Sequence, residues 1–282
     1  MTSGQVKTNN GAAMPAFIYG TAWKKSETAR LTELAVDAGF RGIDTANQLK
    51  HYDEALVGEA LKHLAQKGIK RESLFLQTKF TSLDGQDHRV PYDPSADFTT
   101  QVKQSMDSSL AHLHTDYVDS YLLHGPFSWP KLTPPDLEVW SAIEQLYRDG
   151  KTRIIGVSNF TSDQLDELCR EAAIKPMIVQ NRCYASAGWD RAVREICKAN
   201  GIIYQGFSLL TANTRELAKP AVHEIASRIG ATIAQTVFCF AIRIGMVALT
   251  GTTNAQHMRE DLQSHTFPLT DADMRVIEAI GL

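Results

Sequence analysis

The sequence holds no paired cysteines: Cys169, Cys183, Cys197 and Cys239 stand apart, in neither a C-x-x-C pair nor a metal-ligand spacing. That pattern argues against a disulfide scaffold or a cysteine metal centre, and predicts reduced, mostly buried thiols in a cytosolic protein. Blocks of one charge are also missing. The 29 basic and 32 acidic residues are scattered and leave a formal net charge of −3, which offers no footprint for nucleic acid or an anionic membrane. The most apolar stretch, residues 231–251, is interrupted by Gln235, Arg243 and Gly245, and reads as buried interior, not as a membrane span. The leader MTSGQVKTNNGAAMP has no apolar h-region and no Arg-rich amphipathic stretch, so a cytoplasmic location is expected. No G-x-G-x-x-G, P-loop or G-x-S-x-G elbow occurs, which removes the usual signatures of doubly wound dinucleotide domains, P-loop phosphotransferases and serine hydrolases.

What is present is alternation. Apolar or β-branched runs at residues 17–19, 41–44, 74–79, 117–123, 153–158, 177–180, 202–207 and 246–250 make eight candidate strands. Amphipathic segments at 26–38, 53–66, 98–113, 136–148, 161–172, 189–199, 219–243 (a helix pair) and 254–263 separate or follow them, and a ninth helical pattern spans 271–280. Gly39, Gly150 and Gly201 stand where helices should stop, and Thr161 with Gln164 reads as a capping box. Eight βα units in 282 residues, 43% of them hydrophobic, predict one α/β domain over residues 1–282, a (β/α)8 TIM barrel. Asn10-Gly11 predicts a short N-terminal β-hairpin, and the last pattern predicts an extra C-terminal helix.

Barrels of this kind place function at the carboxyl ends of their strands. Strand two ends in Asp44, strand three in Lys79, and strand four runs into His124, while Tyr52 lies in the loop after strand two. Further local runs are Gly20-Thr21 with Trp23, residues 39–46 (GFRGIDTA), Gln77-Thr78-Lys79, Asp116-Tyr117-Val118-Asp119, Leu122-Leu123-His124 and Gly156-Val157-Ser158-Asn159-Phe160. Together, in this order, they resemble the aldo-keto reductases over essentially the whole chain.

The resemblance implies a catalytic tetrad of Asp44, Tyr52, Lys79 and His124 that reduces an aldehyde or ketone with a nicotinamide cofactor. Tyr52 would be the proton donor, Lys79 the cation that lowers its phenol's pKa, Asp44 the partner of Lys79, and His124 the group that positions the carbonyl oxygen. It implies cofactor contacts from Ser158, Asn159 and Gln180 to the carboxamide and from Phe207 to the ring. Thr21 and Ser208 would face the cofactor, with phosphate contacts from Thr250, Gly251, Thr252, Thr253 and His257 and from the free N–H groups opening the last helix. Trp23, Phe80, Gly125, Phe127 and Trp129 are expected around the substrate, and residues 82–97 form a long loop over the same face. NADPH is the first cofactor choice and NADH the second, because the family's phosphate-gripping lysine and arginine positions hold Gly251 and His257 here. The chain also departs from the family spacing at the tyrosine: five residues after the aspartate stands Leu49, so Tyr52 requires a short insertion, and His51 is the substitute donor.

Each residue also has a plainer reading. Asp44 can cap a helix, Lys79 can be a solvated strand end, His124 a packed loop histidine, Gln180 structural, Phe207 a core aromatic, and Ser158-Asn159 ordinary turn chemistry. His112-Leu113-His114 has the H-x-H form of a metal pair, but it precedes strand four and is read as a solvated helix end at the opposite face. No metal is expected, and neither is a nucleic-acid or membrane partner; the partner is a small carbonyl compound, and the protein a monomer or weak homodimer. The alternative functions are a cofactor-binding regulatory subunit with little turnover, and reduction of C=N or C=C bonds.

Overall fold

The computed structural model describes residues 4–282; residues 1–3, the start of the leader, lie outside the described residues. Asn10 and Gly11 turn the chain between β1 (Gln5–Lys7) and β2 (Ala13–Pro15), which pair antiparallel with Val6 opposite Met14. Gly11 sits at φ +84°, a left-handed conformation that glycine adopts without steric cost, and Asn10 Oδ1 accepts from the Ala12 N–H.

Eight parallel strands follow: β3 (Phe17–Gly20), β4 (Gly42–Asp44), β5 (Phe75–Phe80), β6 (Val118–Leu123), β7 (Thr152–Ser158), β8 (Ile178–Arg182), β9 (Ile203–Phe207) and β10 (Val247–Thr250). They close a barrel in chain order, with Leu249 of β10 beside Ile18 of β3. Each matches an expected strand to within two residues at either end. Thr161 and Gln164 form the expected reciprocal capping box at Ser162–Glu171, and the same device opens Ile233–Arg243 and Asp271–Glu278. The apolar 219–243 segment is two helices, Pro220–Ile229 and Ile233–Arg243, bent by 88°. Among the described residues no single helix is long and apolar enough to cross a membrane.

The core has an inner part inside the barrel and an outer part between strands and helices, because successive residues of a strand face opposite sides. Phe17, Phe40 and Phe238 pack together in it, and the buried Trp189 donates its indole N–H to Ile277 O, docking the last helix. All four cysteines are free and buried. His112 and His114 end the helix Phe98–Leu113 on the side away from the strand ends. His112 Nδ1 lies 3.3 Å from Glu54 and His114 Nε2 lies 3.6 Å from Glu59, both on Glu54–Gln66, so each histidine is paired with a carboxylate of the neighbouring helix. That helix approaches closely enough that a Cβ on Gly58 would stand 1.8 Å from the His112 carbonyl oxygen. Among the described residues no group of three or more His, Cys, Asp and Glu could hold a metal ion.

Candidate active site

The interior of the barrel mouth is built around one carboxylate. Asp44, 2% exposed at the end of β4, accepts three hydrogen bonds on Oδ1: from Lys79 Nζ at 2.6 Å, Gln77 Nε2 at 2.8 Å and Gln180 Nε2 at 3.0 Å. Gln205 Oε1 accepts from the same two amides, at 2.8 and 2.9 Å, and its own Nε2 donates to Gln77 Oε1. Lys79 is fully buried and gives a second proton to Thr45 O at 2.8 Å. Burial pulls its pKa down and the carboxylate beside it pushes it back. A buried ion pair is sustained only with added hydrogen bonds, and Gln77 and Gln180 supply them to Asp44 here. Gln180 and the Gln77-Thr78-Lys79 run stand out in the sequence, but the role of Gln77 and the presence of Gln205 do not; the signal of Gln205 is a long polar side chain inside an apolar strand run.

Tyr52 reaches this cluster despite its shifted position. The N–H groups of His51 and Tyr52 both donate to Gln48 O, folding the insertion into a turn, and Asp53 then caps the next helix by accepting from the Leu56 N–H. The Tyr52 ring lies 5.2 Å from Lys79 Nζ and 5.8 Å from the His124 ring, centre to centre. His51 lines the cavity over this site beside Tyr52, with its ring packed at a tilt on Trp23, 4.1 Å between centres, and its carbonyl accepting the Trp23 N–H. Burial, reinforced by the negative charge of Asp44, holds the Tyr52 phenol well above the ordinary tyrosine value.

His124 follows β6, and its Nδ1 lies 2.6 Å from the Thr81 hydroxyl, so its Nε2 is the nitrogen left for the cavity. Burial, with the charges of Lys79 and His51 adding to it, holds its pKa well below the usual histidine value, and the ring is neutral at pH 7. When Thr81 donates to Nδ1, Nε2 carries the proton and can donate to a carbonyl oxygen. Thr81 was not foreseen, because a threonine two residues past a strand-end lysine carries no mark of its own.

A groove of ≈ 460 Å³ runs from Asp44, Tyr52 and His124 towards the loop after β10. Ser158, Asn159, Gln180, Phe207 and Ser208 line its near part, and Thr250, Gly251, Thr252 and His257 its far part, where the resemblance placed them. The near part is organised in advance. Ser158 Oγ donates to Gln180 O at 2.7 Å, and Asn159 Nδ2 donates to His124 O at 2.8 Å. Gln180 spends its amide protons on Asp44 and Gln205, which leaves Gln180 Oε1 and Asn159 Oδ1 as acceptors for a carboxamide NH2. Asn159 and Ser208 hold left-handed φ values of +60° and +57°, a cost that non-glycine residues bear where surrounding structure fixes a functional geometry. With the Phe207 ring beside these acceptors, the residues fit a nicotinamide.

Other expected contacts are not in the groove or the cavity. Thr21 is fully buried and donates to Asp44 O, which makes it a brace between β3 and β4; Thr253 is exposed and does not line the groove. The N–H groups of Gln256 and His257 are not free for phosphate, since Asn254 Oδ1 caps both. A second cavity of ≈ 530 Å³ adjoins the groove and shares Ala22, Tyr52, His124, Asn159, Phe207 and Ser208 with it. Trp23 and Gly125 line this cavity as expected, but Phe80, Phe127 and Trp129 do not. Phe80 follows the inward-facing Lys79, so it points out of the barrel, where it stacks on Tyr92 at 5.5 Å. Phe127 packs edge-on against Phe98, and Trp129 is 58% exposed. The loop 82–97 contributes Ser82, Asp84 and Gly85 to the rim, and is tied down by Tyr92 Oη donating to Thr81 O and Gln86 Nε2 to Asn47 O.

Comparison with known proteins agrees with this geometry. The family model described as "Aldo/keto reductase family" matches residues 11–281. A glyoxal reductase of Bacillus subtilis is 30% identical over 278 residues, covering 98% of this chain and 92% of the relative. Aldo-keto reductase family 4 member C11 of Arabidopsis thaliana is 31% identical over 280 residues, covering 92% and 83%. The crystal structure of an aldo/keto reductase from Brucella melitensis superposes with a TM-score of 0.85 at 27% identity, covering 99% of this chain and 98% of that one. Since the family match takes in all eight barrel strands and every residue of the cluster at the mouth, this chain belongs to the aldo/keto reductase family and is an NAD(P)H-dependent oxidoreductase.

Proposed function

We propose that the protein reduces an aldehyde or ketone to the alcohol, with Tyr52 as proton donor, and that NADPH is its preferred cofactor. The observation that carries this reading is the shared wall: Tyr52 and His124 line both the groove and the adjoining cavity, so a carbonyl in the cavity meets them where it meets the nicotinamide. A nicotinamide held by Ser158, Asn159, Gln180 and Phe207 would supply a hydride to the carbonyl carbon. His124 Nε2–H and the Tyr52 hydroxyl bind the carbonyl oxygen, and Tyr52 gives it a proton as negative charge develops there. The raised phenol pKa keeps that proton in place before reaction, and the third proton of Lys79 then steadies the phenolate left behind. Asp44, held by Gln77 and Gln180, keeps the ammonium charged in its dry surroundings.

At the far end of the groove, His257 and the Thr252 hydroxyl are the groups available to a 2′-phosphate. Neither clamps it in the bidentate way of an arginine, so NADPH is favoured over NADH by a small factor. The buried thiols suit a reducing cytoplasm. The test is loss of NADPH absorbance with a panel of aromatic and aliphatic aldehydes, run beside fluorescence titration of NADPH. Turnover of several aldehydes is the expected result. Tight NADPH binding with no turnover of any carbonyl would replace the reductase reading with that of a binding subunit.

A further inference from the structure

We propose that the carbonyl substrate carries an anionic group, a carboxylate or a phosphate, and that Arg182 binds it. The inference rests on the carbonyl-reductase reading of the same site and names the class of molecule it takes. Arg182 is the last residue of β8, two beyond Gln180, and lines the substrate cavity but not the cofactor groove. Its guanidinium lies 5.6 Å from the centre of the Phe207 ring, which positions it over an aromatic face. Among the described residues no carboxylate lies within ion-pair distance of Arg182, whereas Arg71 and Arg153 are both paired with Asp119. A guanidinium stays charged at every working pH and presents paired N–H donors that match a carboxylate or a phosphate.

The barrel order gives the cavity a polarity. Tyr52 follows β4 and Arg182 ends β8, four strands away on the closed ring, so they stand on opposite sides of the mouth. Asp84, among the described residues the one carboxylate lining the cavity, follows β5 and stands on the Tyr52 side. A molecule whose carbonyl is held by Tyr52 and His124 would thus extend its far end away from the negative Asp84 and towards the positive Arg182. An anion there gains a charge-assisted pair, and a cation is disfavoured.

The experiment compares 4-carboxybenzaldehyde with its neutral methyl ester as substrates, using NADPH and the wild-type, Arg182→Gln and Arg182→Lys proteins. The readout is the ratio of the two kcat/KM values within each protein, so any general loss in a variant cancels. The wild type should favour the carboxylate, Arg182→Gln should lower that ratio about tenfold through KM, and Arg182→Lys should retain part of it. Raising ionic strength should erode the wild-type ratio and leave the ratio in Arg182→Gln unchanged. Turnover of both aldehydes with a ratio in Arg182→Gln within twofold of wild type would overturn the anion site alone. Failure of the wild type to consume either aldehyde, or any other carbonyl, would overturn the reductase reading, and this inference with it.

Discussion

The two ends of the cofactor groove are held in opposite ways. At the end that handles protons, Asp44 accepts three hydrogen bonds and Lys79 makes two, all among buried groups of the barrel mouth. At the end that meets the phosphates, Gly251 and His257 are exposed, and the helix N-terminus has turned two of its N–H groups to its own cap, Asn254. Proton chemistry demands fixed geometry in a dry site, and the barrel interior supplies it. Phosphate recognition tolerates solvent, and the loop after β10 leaves it adjustable. Changes at the first end should therefore strike turnover and stability, while changes at the second should move cofactor affinity alone.

The largest expected effect is at Lys79. Lys79→Met strands the Asp44 carboxylate without its cation, which should destabilise the fold by about 3–5 kcal/mol and lower kcat by about 100-fold or more. Thermal denaturation with steady-state kinetics checks both, and a stable, active Lys79→Met protein would remove the contrast between the two ends. Next comes Thr81→Val, which deletes the hydroxyl at His124 Nδ1 and keeps the shape. It should lower kcat/KM roughly tenfold without changing the NADPH dissociation constant, and Thr81→Ser should restore it. Nitrogen NMR of His124 would show the tautomer balance shifting in the valine variant.

The pH profile sharpens the same contrast. Tyr52 must be protonated to donate, and its raised pKa keeps it so well into alkali; His124 must be neutral, and its lowered pKa keeps it so into mild acid. kcat/KM for reduction should then be level between about pH 6 and pH 9, whereas alcohol oxidation, which needs the phenolate, should rise with pH throughout. A reduction profile with a limb near the ordinary histidine pKa would mean a His124 exposed to water. The smallest effect is at the phosphate end: His257→Arg should tighten NADPH by a few fold and leave NADH affinity and kcat unchanged.

The barrel was legible because its signals are local and repeated eight times, from apolar runs between amphipathic segments to stops at Gly39, Gly150 and Gly201, which hold φ values of +120°, +72° and +65°. Asp44, Lys79 and His124 were legible because each ends or follows a strand, and strand ends define the mouth. The errors came where neighbours across the ring decide. Phe80 was assigned to the cavity although the residue before it already faced inward, and period-two alternation places it outside. Gln77 and Gln205 meet across the barrel from positions 128 residues apart, a pairing that no local pattern carries. Arg182 escaped notice because only the closed ring shows it standing opposite Tyr52.

The most direct measurement sets Tyr52→Phe beside His51→Gln, with kcat for an aromatic aldehyde and the NADPH dissociation constant read on each protein. Tyr52→Phe should lose about 100-fold or more in kcat while binding NADPH as the wild type does, and His51→Gln should keep turnover within a few fold. A Tyr52→Phe protein near wild-type kcat, with His51→Gln inactive, would show that the proton comes from the other side of the insertion.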